Sequence, residues 1–147
     1  RSKINDLITE LNSELGFTIG LTAEERQALP KMNDGNQPFV EDALSGARQN
    51  LDIFPAYVKL NELQKDYDLF MQLGPLVMRL LQLGEKLLDT QILAGSEAYV
   101  SALMVYRLAE AAAKAGLPGA DALYQQLRKR FAGQGTPAPD TPALPKS

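Results

Sequence analysis

The chain has 147 residues, 45% hydrophobic and 22% charged, with 15 Lys and Arg against 18 Asp and Glu for a net charge of −3. That length buries enough surface to fold without disulfides or a structural metal. It has no Cys and no His, which excludes nucleophiles, bases and proton shuttles of those types and every zinc, haem or iron–sulfur site built on them.

Ile4, Leu7, Ile8, Leu11 and Leu15 recur at the spacing of one helix face, with Asp6, Glu10 and Glu14 off it. This predicts a first amphipathic helix over Ile4 to Leu15, closed by Gly16 as a left-handed C-cap. Thr22-Ala23-Glu24-Glu25 reads as a capping box, in which the Thr22 hydroxyl accepts from the Glu25 amide and the Glu25 carboxylate reaches back. It opens a short helix through Leu29, stopped by Pro30. Asn33-Asp34-Gly35-Asn36 marks a loop. Its likeness to a calcium loop ends at Pro38 and Ser45, where ligands are needed. Pro38 suits the first turn of a helix carrying Phe39, Val40, Ala43, Leu44 and Ala47.

From Ala56 to about Leu93 the pattern stays helical, with Leu69, Leu73, Leu76, Leu80, Leu83 and Leu87 alternating by three and four. Phe70, Val77, Leu81 and Leu88 widen that stripe, the mark of a central helix. Gly74-Pro75 interrupts it, since Pro75 cannot bond the Met71 carbonyl and disfavours helical angles at Gly74. The unbroken Leu register favours a kinked continuous helix over a hairpin there. A further helix is predicted from Ser96, as its cap, to Ala115, ending at Gly116 before Pro118. It has an Ala-lined side (Ala98, Ala102, Ala109, Ala112, Ala113) and a row of Tyr99, Leu103 and Tyr106. A last helix runs near Gly119 to Phe131 with Leu123, Leu127 and Phe131 aligned. No strand-like alternation of useful length occurs. The expected fold is all-α: an antiparallel bundle of four to six helices with a long, kinked central helix, forming one domain over 1–132, with a flexible Gly/Pro/Ala/Thr-rich tail over 133–147.

No constellation specifies a reaction. Glu85 and Asp89 with Glu97 and Asp68 invite comparison with carboxylate di-metal bundles, but those need Glu-x-x-His motifs, so no metal and no cofactor is expected. Arg128-Lys129-Arg130 complements a helix C-terminus, and the negative net charge argues against nucleic acid. Leu69 to Leu88 carries Arg79, Glu85 and Lys86, which argues against a membrane span. The absence of Cys suits a cytoplasmic setting, while Arg1 in place of Met leaves a removed leader open.

The expected function is non-enzymatic protein–protein contact, with a homodimer as its form, because the central helix offers more apolar surface than short neighbours cover. Leu51, Ile53, Phe54 and Tyr57 are candidate partner-binding residues, with a hydrophobic cap on the bundle end as their alternative role. A second reading is a core cavity for a small apolar ligand near Met71, Gly74, Pro75 and Met78, where a proline kink meets polarizable side chains. An enzyme of unknown reaction is the third.

The run Leu21-Thr22-Ala23-Glu24-Glu25-Arg26-Gln27-Ala28-Leu29-Pro30-Lys31-Met32, then Phe39-Val40-Glu41 and Gly95-Ser96-Glu97-Ala98-Tyr99, resembles small all-helical bacterial proteins of unassigned function. The resemblance spans about Ile4 to Phe131. It implies a bacterial source and a helical fold, and it transfers no activity or site residue.

Overall fold

Periodicity of three and four rather than two dictates helices, and in the computed structural model the described residues, 1–135, form helices joined by turns and loops, with no strand among them. Five α-helices follow one another: α1 Ser2–Glu14, α2 Ala23–Ala28, α3 Gln37–Gln49, α4 Leu60–Lys114 and α5 Ala120–Ala132. Short 3-10 turns occupy Leu51–Ile53 and Gly133–Gly135. The tail expected over 133–147 lies outside the described residues from position 136 onward. The chain divides into two units, Arg1–Met71 and Gln72–Ser147, a boundary inside α4 and beside Gly74-Pro75.

In the first unit, α2 is opened by the capping box as expected. The Glu25 amide donates to Thr22 Oγ1 at 3.1 Å and the Thr22 amide to Glu25 Oε2 at 3.0 Å. The following loop is held by side chains standing in for backbone: Asn33 Oδ1 accepts from the Gly35 amide at 2.9 Å, and Asn36 Oδ1 from the Asn33 amide at 2.8 Å. Pro38 sits in the first turn of α3, and Leu44 and Ala47 are the buried side chains of that helix. Phe39, grouped with them by spacing, instead points outward and is 74% exposed.

In the second unit, α4 ends in a Schellman motif. The Gly116 amide donates to the Ala113 carbonyl and the Leu117 amide to the Ala112 carbonyl, both at 3.1 Å. Gly116 takes φ 73°, which glycine adopts without the steric cost other residues carry. Gly119, at φ 76°, is the N-cap of α5. The hairpin places Tyr124 and Phe131 of α5 against Tyr106 of α4, with ring centroids 5.6 and 5.3 Å apart, and Ala109 is buried.

Three local expectations are corrected. Gly16 is not left-handed, because α1 leaves through Leu15 at φ −93°, ψ 21°, and the Gly16 amide closes a tighter turn onto the Ser13 carbonyl at 3.2 Å. Ser96 caps nothing: α4 runs without a break from Leu60 to Lys114, since one Gly inside a helix costs only about 1 kcal/mol and good helix formers flank Gly95 on both sides. At Gly74-Pro75 the helix is continuous, as the unbroken Leu register favoured, and Pro75 lies inside α4. The start of α4 is at Leu60 rather than Ala56, with the Val58 amide closing a turn onto Pro55 first.

Candidate functional site

Between the α3 contact of the first unit and the α5 contact of the second, α4 carries an apolar face. The part within the second unit, Gln72 to Ala98, forms two rows at about 100° per residue. One row is Leu73, Leu76, Leu80, Leu83 and Leu87. The other is Val77, Leu81, Gly84, Leu88, Ile92 and Gly95, and it continues at the same spacing into Tyr99, Leu103 and Tyr106, where the α5 rings pack on Tyr106. Leu73 and Leu76 are half-buried, but Leu83 is 55%, Leu87 63% and Ile92 61% exposed.

Such a broad apolar face is the pattern of a helix buried among neighbours, and contiguous exposed apolar surface of this kind marks interaction sites. Its edges differ in charge. Arg79 and Lys86 border the Leu row, while Glu85 and Asp89 border the other row. Pro75 falls on the side away from the Leu row, so the amide it lacks leaves that row's register intact, and a Cβ added at Gly74 would meet nothing within 4 Å.

The residues expected to line an apolar ligand site, Met71, Gly74, Pro75 and Met78, all lie along α4. Met71 is exposed in the first unit and Met78 in the second, and none of Met71, Gly74, Pro75 and Met78 lines either of the two depressions that follow. Leu51, Ile53, Phe54 and Tyr57 lie in and after the 3-10 turn and are all exposed, Tyr57 most of all at 81%. Leu51 also lines an open depression of about 760 Å³ with Arg48, Val58, Leu60 and Glu62. The cleft between α4 and α5, walled by Tyr99, Leu103, Tyr106, Leu127 and Phe131, holds about 130 Å³, below the roughly 300 Å³ where small-molecule pockets begin.

The polar groups of the first unit form a strap. Tyr67 on α4 donates to Glu41 on α3, which also accepts from Gln37 Nε2 at 2.9 Å. Arg48 Nη2 donates to Gln64 Oε1 at 3.1 Å, and Gln64 Nε2 passes on to Asp68 Oδ1 at 2.8 Å. The Gln37 and Tyr67 hydrogen bonds hold the Glu41 carboxyl below its usual range, and the bond to Glu41 holds the Tyr67 hydroxyl above its own. A carboxylate stabilised as an acceptor is a weak base and a phenol stabilised as a donor a weak nucleophile, so the pair fastens α3 to α4. Sequence reasoning missed this pair: its partners are 26 positions apart, and the only signal was Glu41 and Tyr67 on polar edges of two helices. Among the described residues no group of three acidic side chains is placed to hold a metal ion, and no helix is long and apolar enough to cross a membrane.

No family model, no curated protein and no solved structure matches this chain.

Proposed function

We propose that this protein acts by contact with another protein surface through the apolar face of α4 rather than by catalysis. The observation that carries this is the row of half-exposed leucines on a helix already formed, with α5 of the same unit stacked on its later part through Tyr106 and Phe131. Burying a Leu completely is worth about 1.5–3 kcal/mol. Each half-exposed side chain of the face therefore contributes about 1 kcal/mol when covered, and a rigid helix loses little entropy in being covered. The antiparallel bundle expected from the sequence, the homodimer and the cytoplasmic setting belong to the same proposal, with the bundle completed on association.

Native mass spectrometry of the purified full chain tests it. Assemblies of two or more chains are expected. A monomer carrying a reproducible small adduct would overturn the proposal in favour of an apolar ligand, and a bare monomer at all concentrations would overturn the homodimer.

A further inference from the structure

We propose that residues 136–147 run back along the second row of α4, from Gly95 toward Val77, as an extended proline-rich strap docked on their own chain. The inference goes beyond the contact proposed for the Leu row and is independent of it, since the strap takes the other row.

The direction of α5 carries it. Positions rise along α5 as they fall along α4: Tyr124 and Phe131 stack on Tyr106, and Gln134 Oε1 accepts from the Tyr99 hydroxyl at 2.9 Å. At about 100° per residue Tyr99 and Tyr106 share the angle of the second row, so the next positions on the line that α5 follows are Gly95, Ile92 and Leu88. The chain is thus delivered to the head of an exposed apolar row with α5 pointing along it.

Length and pattern fit that row. Twelve residues follow Gly135, and in a polyproline helix they span about 37 Å at roughly 3.1 Å each. From Tyr99 to Val77 the α-helix measures about 33 Å. With about three residues per polyproline turn, Pro139, Pro142 and Pro145 form one edge, and Ala138, Thr141 and Leu144 form a second. Asp140 and Lys146, the only charged side chains of the segment, fall together on the third edge and stay in water while the other two meet the row. Gly84 and Gly95 leave hollows in the row, where even an added Cβ would meet nothing within 4 Å, and proline rings fill such hollows. Proline-rich segments dock on apolar and aromatic grooves with little conformational entropy left to lose. A tether this short also holds the segment at an effective concentration in the millimolar range, an advantage over any separate partner.

The chain has no cysteine, so introduced pairs report the seat directly. Position 138 lies about 9 Å beyond Gly135 and Ile92 about 10 Å before Tyr99, which sets the two opposite each other. Ile92 and Leu93 are 61% and 60% exposed, but Ile92 belongs to the row and Leu93 does not. A segment without a seat therefore reaches both alike, whereas a docked one brings only Ile92 within the Cα separation of about 7 Å that a disulfide needs. The full chain carrying Ala138→Cys with Ile92→Cys is oxidised beside the full chain carrying Ala138→Cys with Leu93→Cys. The first pair is expected to close within one chain about tenfold faster or more than the second, and adding Pro139→Gly with Pro142→Gly is expected to bring the ratio near one. Equal rates, a preference for position 93 or no closure at all overturn the proposal. The same preference found only in covalent dimers seats the segment of a second copy on the row and overturns docking within one chain. A ratio that survives both glycine substitutions overturns the proline edge as the contact.

Discussion

Tyr67 donates its hydroxyl to the Glu41 oxygen that already accepts from Gln37, so a single carboxylate oxygen joins two turns of α3 to the start of α4. Glu41 titrates below its ordinary value of 4.5, chiefly through Gln37 and then Tyr67. Its contribution to stability is therefore present above pH 4.5 and is lost as pH falls through the lowered folded value. Tyr67 titrates above 10.0, so its contribution is complete below pH 10 and is lost as pH rises through the raised value. Tyr67→Phe removes the bond in both limits. The difference in Tm between the wild-type chain and Tyr67→Phe is expected to be largest near neutrality and to shrink at both ends. A difference independent of pH would show that the bond contributes nothing.

Leu44 is 5% exposed, the most fully enclosed large side chain among the described residues. Leu44→Ala is expected to cost about 2 kcal/mol, the low end for such truncations because few side chains surround the void. Denaturant unfolding followed by circular dichroism measures it.

Leu83→Glu with Leu87→Glu separates folding from association. Both side chains are more than half exposed, so helix content is expected to hold, while self-association falls roughly 100-fold or more, from about 1 kcal/mol for each leucine in both copies of a dimer. Sedimentation velocity across a concentration series reads the change. Undiminished association would place the contact elsewhere.

Pro75→Ala restores an amide inside α4. A gain of up to about 3 kcal/mol is expected, the size of the interior proline penalty, with association unchanged because position 75 faces away from the Leu row. Loss of association in this variant would tie the contact to the proline instead.

Features set by residues a few positions apart were legible in the sequence: the Thr22 box, the Asn33 loop, the Gly116 stop and the Leu row. Each is a local hydrogen bond or a simple repeat. Errors arose where two local rules competed. Ser96 and Gly95 look like a helix boundary, but helix formers on either side outweigh them. Gly16 offers a left-handed cap, yet Leu15 already turns the chain. Phe39 shares the spacing of Leu44 and Ala47, but nothing in the first unit covers its position. The candidate surface was half legible, because the leucines announce a face while its charged borders acquire meaning only when a second helix is set against it. The Glu41–Tyr67 bond depends on tertiary approach and has no local signature.

The segment from Lys31 to Gln37 is wired by contacts reaching at most five positions along the chain, including Asn36 Nδ2 to the Lys31 carbonyl at 2.8 Å, and the Thr22 box before it spans three. Loops of about ten residues close in roughly 10–100 ns, so contacts this short form long before distant helices meet. The chain between α1 and α3 thus acquires its direction during the first moments of folding, and Leu44 and Ala47 begin their search for cover from a corner already built.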